Sequence, residues 1–299
     1  MSLSLRALNC FVAVAEELHF GAAAKRLHMT QPPLSQQIRL LEESVGAELL
    51  IRTTRSVQLT VAGRLLLERA RQLLAASEAA AQEVKRAGRG EIGRLVLGFP
   101  NSAAYRLLPK ALRLYKTRHP HVELDLREML SSDLLEALYS RQLDVAFVRA
   151  SSSMLVPDLD WVIASRENMV LALPSHHPLA KLKVVPLQRL AGVDLIGFNA
   201  VGSRYFRERI DAMFAAARVR PRITQQSVLP TILAFVEAGL GVALVPASVT
   251  KIQSDELVYR PVSGAKDTAH ALLYGVCRKG EKVPAVQNFF DTVKALELA

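Results

Sequence analysis

The chain has 299 residues, more than one hydrophobic core usually organises, so two or three folding units are expected. Half of the residues are apolar and 22% are charged, which excludes a disordered chain. The formal charge of +10 invites an anionic partner, nucleic acid first, yet residues 1–64 hold only seven Lys/Arg against five Glu. Charge alone therefore does not say where such a partner would sit.

Arg6 followed by the largely apolar residues 7–15 (ALNCFVAVA) has the beginnings of an export signal. Leu5, Leu8, Phe11, Val12 and Ala15 keep helical spacing, however, and Glu16-Glu17 continue the segment, so residues 5–18 read as an amphipathic helix. An Ala-rich second helix, short enough for close approach, is expected over residues 21–27. After the turn His28-Met29, Thr30 is placed to N-cap a third helix running to Val45 and stopping at Gly46. Pro32 and Pro33 are tolerated there because first-turn N–H groups lack intrahelical partners.

Leu34, Ile38, Leu41 and Val45 share the face that this helix would bury. Thr30, Gln31, Pro32, Pro33, Ser35, Gln36 and Arg39 lie on other faces of its N-terminal half. A helix-turn-helix presents base-reading side chains there, in the major groove. Gln pairs with adenine, Arg with guanine, and Pro or Thr carbons touch thymine methyls. Residues 49–53 and 57–59 then flank Thr54-Arg55-Ser56 as a two-stranded wing, with Arg52 and Arg55 offered to phosphate or the minor groove.

From Thr60, again in N-cap position, one long helix is expected to about Arg89, closed by Gly88-Arg89-Gly90. Ala62, Leu66, Leu73, Ala80 and Val84 fall near one narrow stripe, the seam of a helix that pairs with a second copy; the alternative is packing on its own domain. The sequence thus divides into a DNA-binding domain over 1–59, a dimerisation helix over 60–89 and a ligand-sensing domain over 90–299.

In that last region strands at 95–99, 122–128 and 145–148 alternate with helices at 103–118 and 133–141, the order of a parallel, doubly wound sheet. A second set follows: strands at 169–173, 195–197, 222–226 and 242–245, with helices at 204–217 and 231–238. Residues 138–151 echo residues 235–248, each a helix end leading into a buried strand and a final Ala-Ser. Two such lobes, about 90–164 with 268–299 and about 165–267, place a ligand cleft between them. The terminal strand at 271–277 and helix at 286–296 are expected to return to the first lobe.

Several predicted helix starts carry hydroxyl or amide groups: Asn101-Ser102, Ser131-Ser132, Gly202-Ser203 and Ser227. Strand-to-helix junctions of such sheets face the crevice, and helix N-termini favour anions, so a small carboxylate is the expected ligand. Arg149, ending a buried strand, offers a countercharge or else a structural ion pair; Ser131 offers a ligand hydroxyl or else a helix cap.

Residues 1–88 closely resemble the LysR-type transcriptional regulators. The resemblance is carried by residues 11–16 (FVAVAE), 22–28 (AAAKRLH), 30–35 (TQPPLS), 40–42 (LLE), 49–53 (LLIRT) and 59–63 (LTVAG). Gly98-Phe99, Leu108-Pro109, residues 143–147, His177-Pro178-Leu179 and residues 239–246 extend it over the whole chain. It implies a winged helix-turn-helix, a linker helix pairing two subunits, and a two-lobed α/β effector domain shaped like periplasmic binding proteins. It also implies homotetramers that bend DNA, a cytoplasmic location, and contact with RNA polymerase where such a protein activates.

The likeness is greatest to regulators of aromatic catabolism that sense benzoate, muconates or related aromatic or dicarboxylic acids. Ser102 and Ser131 match carboxylate-binding hydroxyls of those sensors, and Phe206 matches an aromatic lining their cleft. The candidate effector residues are accordingly Phe99, Asn101, Ser102, Ser131, Arg149, Arg204 and Phe206. Arg204 stands where relatives often have a smaller residue, and Gln36 where many carry Arg.

Two rival classes fit less well. An enzyme on this scaffold would need a nucleophile elbow, P-loop or HExxH motif, and none occurs. His119/His121 and His176/His177 lie beside prolines without metal-type spacing, Cys10 and Cys277 are too few for a disulfide framework, and neither cofactor nor metal is expected. A periplasmic solute-binding protein would explain the lobes but leave residues 1–60 without a role. No apolar run reaches membrane-spanning length.

Overall fold

Ser4 opens the first helix: its hydroxyl accepts the Ala7 amide at 3.1 Å, and α1 (Leu5–Glu17) follows. The structure, a computed structural model, describes residues 3–53, 56–150, 155–201, 203–252, 254–264 and 270–297. It divides into two units, Met1–Arg86 and Ala87–Ala299.

In the first unit α1 packs Leu8, Phe11 and Val14 into a core shared with α2 (Phe20–Arg26) and α3 (Gln31–Val45). His19 caps α2 through Nδ1, which accepts the Ala22 amide at 3.0 Å. Thr30 holds the N-cap position of α3 but makes no capping bond with its side chain. The reason lies in the sequence: the amides an N-cap would serve belong to positions two and three of the helix, here Pro32 and Pro33, which have none. Gly46 ends α3 in the left-handed conformation, φ 69°.

The wing is β1 (Leu50–Arg52) paired antiparallel with β2 (Val57–Leu59). Thr53 and Ser56 close its end, the Ser56 amide donating to Thr53 Oγ1 and the Thr53 amide to the Ser56 carbonyl, both at 2.9 Å. Helix α4 (Val61–Gly88) follows. Thr60 does cap it, accepting the Gly63 amide at 2.8 Å while donating to the Glu48 carbonyl at 2.8 Å. The hydroxyl thereby ties the helix start to the segment entering the wing.

The single seam expected along α4 is two adjacent stripes. Ala62, Leu66, Leu67, Ala70 and Leu74 pack into the unit's own core, whereas Leu65, Leu73 and Val84 are exposed at 59%, 47% and 72%. The expected stripe straddled both, because at 100° per residue two neighbouring apolar faces merge into one broad pattern.

The second unit begins with β3 (Ile92–Phe99), α5 (Leu107–Arg118), β4 (His121–Glu128), α6 (Ser131–Tyr139) and β5 (Val145–Val148). It continues with β6 (Leu159–Pro174), β7 (Val185–Pro186), β8 (Asp194–Phe198), α7 (Arg204–Ala217), β9 (Arg222–Ser227) and α8 (Leu229–Glu237). Strands β10 (Ala243–Pro246), β11 (Leu257–Ser263) and β12 (His270–Arg278), then α9 (Pro284–Glu297), complete it. The helix expected from residue 103 starts only at Leu107, after a separate 3-10 turn at Asn101–Ala103. Pro109 is confined to a helix's first turn, so α5 cannot begin a full turn earlier.

Strands β3, β4 and β5 run parallel, but the sheet as a whole is mixed: β12 lies antiparallel between β5 and β6. The wholly parallel reading fails because β6 is far longer than the expected 169–173. Its first half pairs with β12, and its second half pairs with β10 and β11. One strand therefore serves both lobes. Asp160, Arg166 and Glu167 interrupt the apolar pattern that would have revealed its first half. Helix α9 returns to the first lobe, burying Val286, Phe289 and Val293 beside Tyr115, whose hydroxyl donates to the Ala285 carbonyl at 3.1 Å.

Gly63 has no room for a side chain, since a Cβ would lie 2.1 Å from the Leu49 carbonyl oxygen. Gly63→Ala should destabilise the first unit by roughly 2 kcal/mol, the cost of forced backbone displacement. Far-UV circular dichroism should then show an earlier loss of helix. Fluorescence of the lone tryptophan, Trp161, belongs to the second unit and should keep its midpoint. Unchanged melting by both probes would contradict this.

Candidate functional site

The burial of α3 decides what it presents. Leu34, Ile38 and Leu41 are buried, which turns Gln31, Pro32, Pro33, Gln36 and Arg39 outward, with Thr30 exposed just before them and Ser35 half-buried. Arg39 has no ion pair among the described residues. Seven residues singled out from the sequence thus fall on one helix end, five of them polar.

The wing is held to this helix by Glu42, which the sequence reading passed over. Its Oε1 accepts the Leu49 and Leu50 amides at 3.0 and 3.2 Å, and its Oε2 accepts from Arg52 Nη2 at 2.5 Å. The Arg52 guanidinium also sits 5.1 Å over the Phe20 ring. Arg52 is therefore committed within the fold, in contrast to the open phosphate ligand expected, because a carboxylate and an aromatic face lie within its reach. Arg55 lies outside the described residues. A further carboxylate, Glu16, joins α1 to α2 and α4 through Arg26 at 2.8 Å and Arg71 at 2.7 Å. Hydrogen bonds from Arg71 and then Arg26 hold its carboxyl below the usual range.

The second unit contains a cleft of about 950 Å³. Asn101, Ser102, Ser131, Arg149, Arg204 and Phe206 all line it. Phe99 does not: it is buried in the first-lobe core with Leu107 and Leu108. The N-terminal ends of α6, α7 and α8 converge on the cleft, through Ser131, Arg204 and Leu229. Their unpaired amides favour negative charge there.

Arg149 is the centre of the polar network. Its Nη2 donates to Glu167 Oε1 at 2.5 Å, its Nε to Ser102 Oγ at 3.2 Å, and its amide to Ser131 Oγ at 3.3 Å. The guanidinium lies 5.1 Å from the Phe206 ring, which stacks on Phe198 at 4.9 Å. Glu167 spends its other oxygen on the Ser248 amide at 2.6 Å. The structural ion pair expected for Arg149 is thus present, and the same side chain lines the cleft. Among the described residues its buried Nη1 has no hydrogen-bond partner. An orphaned guanidinium N–H is expensive to keep from water, so this atom marks where an acceptor belongs.

Glu167 escaped the sequence reading, as did Glu128, Met129, Tyr205 and residues 228–230 on the cleft wall. Glu167 did leave a signal, a lone acid inside a strand-like run. Asn101 bridges to Glu128, donating to Oε1 at 3.1 Å while accepting from Tyr105 at 3.0 Å. Burial, and secondarily the Glu128 charge, pushes the Tyr105 phenol up. Among the described residues no three His, Cys, Asp or Glu side chains converge as metal ligands, and no helix is long and apolar enough to cross a membrane.

Comparison with known proteins agrees with this two-part build. Residues 5–64 match the profile of the bacterial regulatory helix-turn-helix protein, lysR family, and residues 88–297 that of the LysR substrate binding domain. The uncharacterised HTH-type transcriptional regulator YnfL of Escherichia coli K12 is 38% identical over 292 residues, 97% of each chain. The solved structure of CbnR, a LysR family transcriptional regulator, superposes with a TM-score of 0.89 at 30% identity, covering 97% of this chain and 100% of that one. Full-length CbnR complexed with its target DNA gives a TM-score of 0.85 at 29% identity, covering 98% and 99% of the two chains. The BenM effector binding domain, solved with its effector benzoate, gives 0.62 at 25% identity, covering 69% of this chain and 92% of that one.

Replacing Glu42 by Ala should free the Leu49 and Leu50 amides and the Arg52 cation together. The expected cost is about 1–3 kcal/mol of stability, with weaker DNA retention, since the wing loses its anchor. Denaturant titration and a gel-shift assay measure both, and retention at full strength would show that the wing needs no such tether.

Proposed function

The chain belongs to the LysR family of bacterial transcriptional regulators, and from that premise we propose that it switches transcription in response to a small carboxylate held at Arg149. The observation that carries this reading is the orphaned Nη1 of Arg149, buried on a cleft wall beside the hydroxyls of Ser102 and Ser131. A carboxylate oxygen supplies the missing acceptor, the two hydroxyls and the helix ends complete its solvation, and Phe206 and Phe198 offer an apolar surface for the rest of the ligand. Asn101 and Arg204 contribute from the rim.

On DNA, Gln31, Ser35 and Gln36 read base edges. Thr30, Pro32 and Pro33 shape the approach of α3, and Arg39 meets guanine or phosphate. Arg55 serves phosphate from the wing, and Arg52 acts by fixing the wing's position. The open stripe of Leu65, Leu73 and Val84 on α4 suits pairing with a second copy, and a tetramer would arise from two such pairs. The molecule works in the cytoplasm, where its DNA is, and touches RNA polymerase if it activates. Nothing in this reading calls for catalysis.

The test uses the full-length chain on the DNA upstream of its own gene. Retention should be sequence-selective and fall steeply with salt. Gln31→Ala or Ser35→Ala should relax sequence preference, while Arg39→Ala weakens binding by about 1–3 kcal/mol. Uniform losses from all three would place α3 away from the bases.

The sensing half has its own test. Wild-type protein should gain melting temperature with millimolar benzoate or a related acid, because a ligand that binds only the folded state stabilises it. Arg149→Met/Glu167→Gln should lose that gain; the second change avoids leaving a buried carboxylate alone. A double variant that still responds would remove Arg149 from the site.

A further inference from the structure

The charges around the cleft are not symmetric, and the asymmetry bears on what the effector looks like. Strands β4, β3 and β5 lie side by side and parallel, and their carboxyl ends carry Glu128, then Asn101 and Ser102, then Arg149. Adjacent strands are about 4.8 Å apart, so the strands that carry the acid and the cation are separated by roughly two such spacings, with β3 between them. Between them, Asn101 hands one donor to Glu128, and Ser102 accepts from Arg149.

The remaining charges do not relieve Glu128. Arg204 is paired with Glu208 at 2.6 Å on the exposed rim. Arg149 is already balanced by Glu167 behind it. Arg127, next in sequence, is held by Asp125 at 2.8 Å. Asp133, at the start of α6, accepts a hydrogen bond from the neutral Ser132 hydroxyl at 2.8 Å. Among the described residues, then, Glu128 and Asp133 line the cleft without a cationic partner. The one guanidinium nitrogen without a partner among the described residues, Nη1, has the donors to take one carboxylate. A second carboxylate on the same ligand would face these two acids.

We infer that the effector is a monocarboxylic acid bearing a hydrogen-bond donor, a hydroxyl or protonated amine, at its far end, and that Glu128 is the residue that selects it. This rests on the proposed binding of a carboxylate at Arg149 and narrows it. Dicarboxylic acids are thereby disfavoured, although the sequence alone admits them equally. Glu128 accepts the distal donor while Arg149, Ser102 and Ser131 take the carboxylate, and the ligand lies along the row of strand ends.

The experiment is calorimetric titration of the full-length chain with two matched series. One is benzoate, 4-hydroxybenzoate, 4-(aminomethyl)benzoate and terephthalate; the other is butyrate, 4-hydroxybutyrate, 4-aminobutyrate and succinate. In at least one series the donor-bearing acids should bind more tightly than the parent acid, and the diacid more weakly, each by roughly three- to tenfold, the scale of one hydrogen bond or like-charge contact near solvent. Glu128 is exposed, so Glu128→Gln keeps the fold. That variant should collapse the ranking, weakening the amine and raising the diacid toward the parent.

A diacid that binds as tightly as its parent, or a ranking unchanged in Glu128→Gln, overturns the inference and leaves the carboxylate site standing. Failure of every acid in both series to bind overturns the carboxylate reading itself, and the inference with it.

Discussion

The pair between Arg149 and Glu167, with side chains only 3% and 5% exposed, is the constraint on which the second unit's site depends. Two opposite charges removed from water gain little net stability from each other, yet removing either one costs about 3–5 kcal/mol. Such a pair persists where other hydrogen bonds complete it. Here Glu167 is completed by the Ser248 amide, and Arg149 by Ser102, with the Phe206 ring against its guanidinium. Those partners come from both lobes. Among the described residues one guanidinium nitrogen, Nη1, is left without a partner, which a purely structural bridge would not require.

The first unit uses a carboxylate to a different end. Glu42 spends both oxygens inside the fold, on two wing amides and Arg52, and has nothing left to offer a ligand. Its effect is positional: the wing keeps a fixed relation to α3 because one side chain of α3 bonds three groups at the wing's base. Gly63 and Thr60 hold the same base from the side of α4, the glycine by close approach to Leu49 and the threonine by bonding Glu48.

Much of this could be read from the sequence, and the successes share a cause. The third helix, its buried stripe, Gly46 and the cap at Thr60 are local features, governed by spacings of a few residues. Helix α7 was likewise placed over residues 204–217 from periodicity. What escaped depends on contacts between distant segments. Arg52 reads as a free cation until Glu42 folds beside it, and Phe99 reads as a crevice residue until α5 and α9 cover it. Helix α4 shows one apolar stripe in sequence, but only packing reveals that half of it is already spent. Strand β6 was missed over its first half because a buried acid is indistinguishable, in sequence, from a solvated one.

A bound molecule shifts a conformational equilibrium only by the difference in its affinity for the two states. Arg149 and Ser102 belong to the first lobe, and Phe206 and the Ser248 amide to the second, so the polar network spans the lobes through Glu167 and β6. A carboxylate that satisfies Nη1 while its body rests on Phe206 interacts with both lobes at once. Its binding energy therefore depends on their spacing, which a ligand confined to one lobe could not achieve. The same geometry makes the far end of the molecule matter. On the proposed binding, a group that reaches Glu128 would extend the contact along the first lobe, while Phe206 would carry the contact with the second.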